Sequence, residues 1–216
     1  MELKLITELK KLRELGYYTV VTEVPMSKMI DFDYKALISP PPANDSLITK
    51  KETQLVADAT KRYRSQKDLE FIHKMDVDMD SFFINLLEKH DLKYPKRYID
   101  LFYKVVEPLL MNVKNYWNRP RPIQIADFYS IEMKPIVTDT IHTASYPSGH
   151  TFYSKLVANI LSEIYPRLSK YFDVIAKDTG VARIQQGVHY PSDNFSSIVL
   201  ANSIYTKLQP KLKRYF

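Results

Sequence analysis

The sequence predicts an all-α fold, and the scarcity of glycine is the first observation that leads there. Only four of the 216 residues are glycine, whereas an average chain of this length would contain about fifteen. The many Leu, Lys, Glu, Ile and Tyr residues, and apolar residues that recur at helical spacing, are the second and third observations. A β-sandwich with many tight turns is disfavoured. The length fits a single domain over residues 1–216.

The N-terminal third is expected to be rich in loops after one helix. Apolar residues at near-helical spacing predict an amphipathic helix over residues 3–15, which Gly16 would end. The following residues contain Pro25 and the run Pro40 to Pro42, which cannot lie inside a helix. Residues 1–46 therefore divide into an N-terminal helix and a proline-rich segment.

The rest of the chain is predicted to be a series of helices. Thr49 and Glu52 could form a capping box at the start of the first one. Pro108 is expected to kink a long helix or to mark its boundary, and Gly180 to break a later one. Residues 123–147 are expected to form a loop. The predicted helices cover residues 48–64, 68–90, 96–118, 148–165, 167–186 and 192–208.

Composition and charge exclude several classes of function. No glycine-rich nucleotide-binding loop occurs, and the absence of cysteine excludes disulfides, thiolate metal sites and a cysteine nucleophile. The formal net charge of +6 suits an anionic partner, such as a phosphate ester, a nucleic acid or a membrane surface. No apolar run reaches the ~18 residues of a membrane helix. The start lacks the apolar core of a signal peptide, so the expected location is the cytoplasm if Met1 is native, and the periplasm if a signal peptide has been removed.

The first of three clusters with chemical potential extends from Lys114 to Pro122. Its prolines fix the backbone, which holds Arg119 and Arg121 at low entropic cost. Rigid guanidinium groups suit bidentate phosphate binding. Alternate residues of an extended segment point in opposite directions, so only one arginine should face the site that Lys114 faces. Taken alone, the cluster is more typical of a solvated surface near a helix C-terminus.

The second cluster, Pro147 to Thr151, opens a predicted helix. Backbone N–H groups and the positive end of the helix dipole form an anion site there. Gly149 would let an anion approach the backbone closely, and Ser148 could cap the helix or donate its hydroxyl. His150 would stand beside the anion as a proton donor. For these residues alone, a serine N-cap followed by a surface histidine is slightly favoured.

The third cluster runs from Arg183 to Asp193. His189 and Asp193 are four residues apart, and Pro191 suits the first turn of a helix. Asp193 could hold one ring nitrogen of His189 and leave the other as a base or nucleophile. Gly187 would permit the turn before His189. The alternative is a His–Asp pair that only stabilises the start of a helix.

Together the clusters supply a charge clamp, a nucleophile and a general acid, which are the components of phosphoryl transfer. No acidic cluster with metal-like spacing accompanies them, so metal-free covalent catalysis is favoured. The acidic run from Asp76 to Asp80 begins like a calcium loop but lacks its glycine and its terminal glutamate. We therefore interpret that run as a solvated helix surface.

The three clusters resemble the signature of the type-2 phosphatidic acid phosphatase superfamily, K-x6-RP, PSGH and SR-x5-H-x3-D. The sequence is most similar to the class A bacterial non-specific acid phosphatases, whose proline-rich segment resembles residues 40–46. This resemblance implies a compact helical bundle of the acid phosphatase and vanadium haloperoxidase type, with a catalytic core over residues 97–208. The matching positions are Lys114, Arg121-Pro122, Pro147 to His150, Arg183, His189 and Asp193, with Ala182 in place of the signature serine.

The resemblance also implies a role for each matching residue. His189 would be the nucleophile that forms a phosphohistidine, Asp193 would orient it, and His150 would be the general acid. No metal or other cofactor is implied, and Arg119 matches no signature position. The phosphate would be bound by Lys114, Arg121, Arg183, Ser148 and the amide of Gly149.

The expected function is therefore that of a metal-independent, vanadate-inhibited phosphatase acting on small phosphomonoesters, with phosphotransferase activity towards alcohols as a side reaction. A vanadate-dependent haloperoxidase shares the signature but is usually a much larger protein. A soluble lipid-phosphate phosphatase is a further alternative, and a basic nucleic-acid binder is disfavoured because no motif for one appears. Neither a nucleic-acid partner nor a membrane span is expected, and a homo-oligomer is left open.

Overall fold

The computed structural model describes residues 33–136 and 138–212, and every regular element in these two ranges is helical. The predicted all-α class is confirmed for this part of the chain, while the helix predicted over residues 3–15 lies outside it. The α-helices are α1 Tyr34–Leu37, α2 Leu47–Arg62, α3 Gln66–Val77, α4 Asp80–Glu88, α5 Lys96–Trp117, α6 Pro122–Ala126, α7 Gly149–Ile164, α8 Ser169–Gln185 and α9 Pro191–Leu212, and short 3₁₀ turns occupy Asp127–Tyr129 and Pro166–Leu168.

Helix α2 is capped by Ser46, whose hydroxyl accepts a hydrogen bond from the Thr49 amide at 3.1 Å. The predicted capping box of Thr49 and Glu52 is therefore wrong. Thr49 is buried in the first turn and donates its hydroxyl to the Ala43 carbonyl at 2.8 Å. Glu52 instead accepts a hydrogen bond from the amide of Ser192, at the start of α9, at 2.7 Å.

The segment predicted as one helix over residues 68–90 forms two. Helix α3 ends at Val77 and α4 begins at Asp80, because Asp78 has φ −152° and ψ 58°, outside the helical region. The apolar pattern conceals this break because apolar residues continue on both sides of it, although Ile72 and Met75 of α3 pack with Ala182 whereas Phe83 and Leu87 of α4 join the main core. The last carbonyls of α3, including that of Asp76, lose their helical donors and can accept other hydrogen bonds.

Helix α5 carries the first cluster into the interior. Its buried residues recur at intervals of three and four, from Tyr98 to Lys114, and the helix continues through Pro108 instead of ending there. Asn118 terminates it in the left-handed conformation with φ 42°. Helix α5 packs on α7, and α7 packs on α8 and α9.

Gly180 does not break α8, and its missing side chain allows close helix packing. A Cβ at this position would lie 3.1 Å from Asn194 Nδ2 on α9 and 3.3 Å from Thr151 Oγ1 on α7. Asn194 donates to the Gly180 carbonyl at 2.7 Å and accepts from Thr151 at 2.8 Å. This packing holds the first turns of α7 and α9 next to each other.

The segment predicted as a loop over residues 123–147 begins with structure that the prediction missed. Pro122 is the first residue of α6, and the Arg121 amide donates to the Gln124 side chain at 2.7 Å. A 3₁₀ turn follows, and the described residues between that turn and the start of α7 are irregular. None of the helices in the described ranges combines the length and the apolar character needed to cross a membrane.

Candidate active site

A cavity with a volume of about 450 Å³ lies between the C-terminal end of α3, helix α5 and the first turn of α7. Five of the predicted site residues line it, and apolar and aromatic side chains form much of its wall. The predicted residues in the lining are Lys114, Arg121, Gly149, His150 and His189, and the wall includes Val77, Met79, Tyr103, Leu110, Met111 and Tyr153.

His189 and Asp193 form the predicted pair at the start of α9. His189 Nδ1 lies 3.1 Å from Asp193 Oδ2, and both side chains are buried. Gly187 shapes the turn before them: its φ is +90°, and a Cβ there would lie 2.9 Å from the Thr60 side chain. An ionised carboxylate only accepts hydrogen bonds, so the neutral imidazole carries its proton on Nδ1. Its Nε2 atom lies 3.2 Å from the guanidinium of Arg121, on the cavity side.

The surroundings of this pair favour a neutral imidazole and an ionised carboxylate. Burial lowers the pKa of His189 well below its ordinary value, and the cations of Arg121 and Lys114 add to this effect, while Asp193 opposes it. Burial alone would raise the pKa of Asp193. The charge of Arg119 and the hydrogen bonds from His189 and Ser145 outweigh it and hold that pKa well below the ordinary value.

Backbone carbonyls hold the ammonium group of Lys114 and the guanidinium group of Arg121 at the cavity. Lys114 Nζ donates to the Ala144 carbonyl at 2.7 Å. Arg121 donates to the Thr143, Thr140 and Val188 carbonyls at 3.0, 3.2 and 2.9 Å. Burial, and then the neighbouring Arg121, lower the pKa of Lys114. Two rigidly held cationic groups thus face one cavity.

Arg119 points away from this cavity and reaches the far side of Asp193. Its Nη1 atom donates to Asp193 Oδ1 at 2.7 Å. The prediction that only one of the two arginines faces the site of Lys114 is confirmed. The sequence did not reveal that the other arginine contacts Asp193 of the His189–Asp193 pair, on the side away from the cavity.

The second cluster begins α7 as predicted. Ser148 is the N-cap and its hydroxyl lies 3.0 Å from Thr151 Oγ1, fully buried behind the cavity wall. A Cβ on Gly149 would lie 3.8 Å from Leu110 and from Lys114, which is ordinary contact distance. The protein itself therefore leaves room for a side chain at Gly149, and any demand for glycine there comes from a bound group.

Asp76 is the site residue that sequence reasoning missed. It is the acceptor of a short ion pair with Arg183, and its carboxylate also accepts from Gln186 at 3.0 Å and from Thr140 at 3.0 Å. Its side chain is 5% exposed, so the interpretation of Asp76 as part of a solvated surface is wrong. No sequence signal marked Asp76, because the apolar pattern conceals the helix end that follows it and its partner Arg183 is 107 residues away.

Asp76 also contacts the predicted general acid. His150 Nε2 lies 2.8 Å from the Asp76 carbonyl and 3.4 Å from its carboxylate. Burial and then Arg183 lower the pKa of His150 to about 4, although Asp76 opposes this shift. Burial would raise the pKa of Asp76, but Arg183 and the hydrogen bonds lower it to about 2.

Arg183 lies next to the cavity but is not one of the residues that line it. It is fully buried, pairs with Asp76 and Gln186, and donates to Thr140 Oγ1 at 2.7 Å. Thr140 lines the cavity, so the guanidinium lies one side chain away from it. Ala182, which stands at the signature serine position, packs in an apolar cluster with Ile72 and Met75.

The arrangement can bind a tetrahedral dianion and attack it. A neutral imidazole nitrogen, an ammonium group, a guanidinium group and a second imidazole share one cavity, and their charges complement a phosphate group. Within residues 33–136 and 138–212, no group of three or more His, Asp or Glu side chains is arranged to hold a metal ion.

The aligned relatives include bacterial acid phosphatases. Non-specific acid phosphatases from Salmonella typhimurium and Salmonella typhi are each 34% identical over 83 residues, which cover 38% of this chain and 32% of theirs. An acid phosphatase from Zymomonas mobilis is 34% identical over 94 residues, covering 41% of this chain and 33% of its own. The matches thus span about a third of the length of each relative.

A solved structure shares the fold. It is a transmembrane phosphatidylglycerolphosphate phosphatase of the PAP2 type from Bacillus subtilis, and the likeness covers 79% of this chain and 89% of that one. The TM-score is 0.53 and the sequence identity 20%, so the likeness concerns the fold alone.

The PAP2 superfamily profile matches residues 99–207, just over half of the chain. This range contains every residue of the three clusters, from Lys114 to Asp193, while Asp76 and Glu52 precede it. The helical fold, the one cavity that residues of all three clusters line, and this match lead to one conclusion: the chain belongs to the PAP2 superfamily.

Proposed function

We propose that this chain hydrolyses phosphomonoesters through a phosphohistidine formed on His189. The observation that carries the proposal is the His189–Asp193 pair, with Nδ1 held at 3.1 Å by the carboxylate and Nε2 directed to the cavity beside Arg121. An imidazole with its proton fixed on Nδ1 keeps its lone pair on Nε2, where it accepts from Arg121. A phosphate that takes up the Arg121 guanidinium would leave this lone pair as the nucleophile. The printed names of the acid phosphatase relatives support the same reaction class.

The reaction would proceed in two balanced steps. His189 Nε2 forms a bond to phosphorus while the bond to the ester oxygen breaks, and His150 donates a proton to that leaving oxygen. Water then attacks the phosphohistidine, His150 takes up a proton from the water, and the phosphorus–nitrogen bond breaks to release phosphate. An alcohol in place of water would give phosphate transfer as a side reaction.

The chain's own cations would stabilise the transferring phosphoryl group. Lys114 and Arg121 face the cavity, and Arg183 lies behind Thr140. The α7 start adds backbone N–H groups at Gly149 and His150, while the Ser148 hydroxyl stays engaged with Thr151 behind the cavity wall. These groups can neutralise the charge that a metal ion neutralises in many phosphatases, which supports a metal-independent reaction.

The pKa of His150 indicates a preference for acidic pH. A general acid must be protonated, and the pKa of about 4 in the empty site means that the proton is lost as pH rises above that value. A bound phosphate dianion favours the charged imidazole and raises this pKa. Activity is therefore expected to decline on the alkaline side as His150 loses its proton.

The experiment that tests this proposal is the hydrolysis of p-nitrophenyl phosphate with EDTA present. The wild-type protein should retain its rate with chelator, and His189→Ala should lose roughly 10³-fold or more. His73→Ala, which alters an exposed histidine on α3, is the matched control and should keep the wild-type rate. Loss of activity in EDTA would overturn metal independence, and an active His189→Ala would overturn the nucleophile. Halide oxidation with vanadate and peroxide, expected to be absent, covers the haloperoxidase alternative.

A further inference from the structure

Arg119 is a buried cation for which the proposed reaction has no direct use. Its side chain is 1% exposed and lies on the opposite side of Asp193 from the cavity. Its Nη1 atom donates to Asp193 Oδ1 and to Ser192 Oγ, both at 2.7 Å. Its guanidinium carbon lies 3.8 Å from the ring centroid of Tyr190, so the planar group is held on one face by an aromatic ring.

Glu52 of α2 completes this arrangement from a distant part of the chain. Its Oε2 atom lies 3.2 Å from Arg119 Nη2 and accepts from Ser192 Oγ at 2.6 Å. Its Oε1 atom accepts from the Ser192 amide at 2.7 Å. Glu52 therefore holds both Arg119 and the first turn of α9, the turn that carries Asp193.

The two oxygens of the Asp193 carboxylate consequently have different hydrogen-bond partners. Oδ1 accepts from Arg119, while Oδ2 lies 2.6 Å from Ser145 Oγ, 3.0 Å from the Tyr190 amide and 3.1 Å from His189 Nδ1. Rotation of the carboxylate would break several of these bonds at once. The orientation of the imidazole thus depends on a carboxylate that Arg119 fixes.

We infer that Arg119 and Glu52 are positioning residues, which together fix the Asp193 carboxylate so that Oδ2 alone orients His189. This inference rests on the proposed function, because it assigns a role through the proposed nucleophile. A purely structural ion pair is the competing explanation, since a buried pair contributes little net stability in many proteins and can be retained for other reasons. The two explanations differ in how the pH dependence of catalysis responds.

The charges around Asp193 determine the direction of that response. Arg119 faces it from the segment after α5, Lys114 acts from α5 itself, and His189 faces it from the turn before α9. Removing the positive charge of Arg119 makes protonation of both Asp193 and His189 easier. The acid limb of the kcat/KM profile should therefore move to higher pH. Removing the negative charge of Glu52 should leave the limb in place or move it to lower pH.

The test compares Arg119→Met, Arg119→Lys and Glu52→Gln over pH, using the hydrolysis of p-nitrophenyl phosphate. Arg119→Met should lose about ten- to hundredfold in kcat with KM within about threefold of wild type, and its acid limb should move up by about one pH unit. Arg119→Lys keeps the positive charge but not the planar, forked guanidinium group. Its kcat should therefore fall, while the acid limb of its kcat/KM profile should move by less than in Arg119→Met. Arg62→Met, at the exposed C-terminal end of α2, is the matched control and should behave as wild type.

The outcomes separate this inference from the proposed function. If folded Arg119→Met keeps the wild-type kcat and acid limb while His189→Ala is inactive, the inference is wrong and the proposed function stands. If His189→Ala remains active, the proposed function fails regardless of the Arg119 variants. If Arg119→Met does not fold, Arg119→Lys and Glu52→Gln test the inference instead. Wild-type kinetics in both variants would overturn it. An acid limb that moves to higher pH in Glu52→Gln would also overturn it.

Discussion

At the scale of single residues, the two histidines of the cavity differ through their hydrogen-bond partners. His189 meets a carboxylate at Nδ1 and a guanidinium near Nε2. His150 Nε2 instead meets the carbonyl of Asp76, with Arg183 close by. A carboxylate that holds one nitrogen fixes which nitrogen of the ring keeps the lone pair, while a carbonyl that accepts from Nε2 leaves Nδ1 as the atom for a transferable proton. These surroundings support the proposal that the nucleophile and the general acid are different histidines.

The space at Gly149 gives a prediction that separates function from folding. Gly149→Ala introduces a methyl group at ordinary contact distance, 3.8 Å from Leu110 and Lys114, so the free energy of unfolding should stay the same or rise by up to about 1 kcal/mol. The methyl group would enter the space of the phosphate, so kcat/KM should fall about tenfold or more. Chemical denaturation and steady-state kinetics check both parts. Wild-type kcat/KM in a stable variant would contradict phosphate binding at this helix start.

Asp76 gives a second prediction at this scale, concerning pH. The negative charge of Asp76 opposes the lowering of the His150 pKa, so Asp76→Asn should lower that pKa further. Since the general acid must be protonated, the alkaline limb of the kcat profile should move to lower pH, and kcat/KM should fall by about tenfold as Arg183 loses its partner. Asp58→Asn, exposed on α2, is the control. An unchanged alkaline limb in Asp76→Asn would show that Asp76 does not act on the general acid.

The sequence was informative where partners lie close together in the chain. His189 and Asp193 are four residues apart, so one helical turn brings them together. Asp76 and Arg183 are 107 residues apart, and Glu52 and Ser192 are 140 apart. Nothing local signals such contacts, because they arise only when the helices pack. These pairs therefore appeared first in the structure.

At the scale of elements, the ends of the helices form the site. Helix α3 contributes its last carbonyls, while α7 and α9 contribute their first turns. Helix ends expose N–H and carbonyl groups that regular helix interiors do not. The break at Asp78, which the apolar periodicity conceals, is the feature that makes the Asp76 carbonyl available to His150.

The close packing of α8 against α7 and α9 gives a prediction for stability. Gly180→Val would place a side chain within 3.1 Å of Asn194 and 3.3 Å of Thr151, so the free energy of unfolding should fall by about 1–3 kcal/mol. The first turns of α7 and α9 should separate, which should lower kcat of the folded protein. Val181→Ala, at the partly exposed neighbouring position, is the control. Wild-type stability in Gly180→Val would contradict the importance of this packing.

It was easier to predict that a segment is helical than to predict where the helix begins and ends. Helices α5 and α7 follow clear apolar periodicity, and each of their bounds lies within one residue of the predicted one. Helix α9 has weak periodicity; it starts one residue before the predicted start but continues to Leu212, four residues past the predicted end. The start of α2 was misassigned because Ser46 and Thr49 are both acceptable N-caps, and tertiary contacts of Thr49 and Glu52 decide between them. The five-residue helix α6 is too short for periodicity to reveal.

At the scale of the whole molecule, the charge of the protein and the charge at the cavity entrance have opposite signs. The formal net charge of the chain is +6, which attracts anionic substrates in general. Yet Asp78, Asp80 and Glu107 also line the cavity, and Asp78 and Glu107 are exposed whereas Lys114 and Arg121 are buried, so the acidic residues mark its solvent-facing end. With the phosphate bound at the buried cations as proposed, a second negative charge on the leaving group would approach these carboxylates.

This distribution predicts a preference among substrates. Phenyl phosphate should be hydrolysed with a kcat/KM several-fold higher than 4-carboxyphenyl phosphate, because exposed charges interact by up to about 1 kcal/mol. Glu107→Gln should reduce that ratio, and Glu88→Gln, which alters an exposed glutamate outside the cavity, should leave it unchanged. Equal rates for both substrates, or a ratio unaffected by Glu107→Gln, would contradict an electrostatic role of the entrance.

The central claim is that catalysis passes through a phosphoryl group on His189, and rapid-quench trapping tests it most directly. Wild-type protein mixed with p-nitrophenyl phosphate for milliseconds and quenched in alkali should carry one phosphoryl group, located on His189 by peptide mass spectrometry. The same peptide from His189→Gln should be unmodified. A phosphoryl group on another residue, or a burst of p-nitrophenol without any phosphorylated His189, would contradict the account.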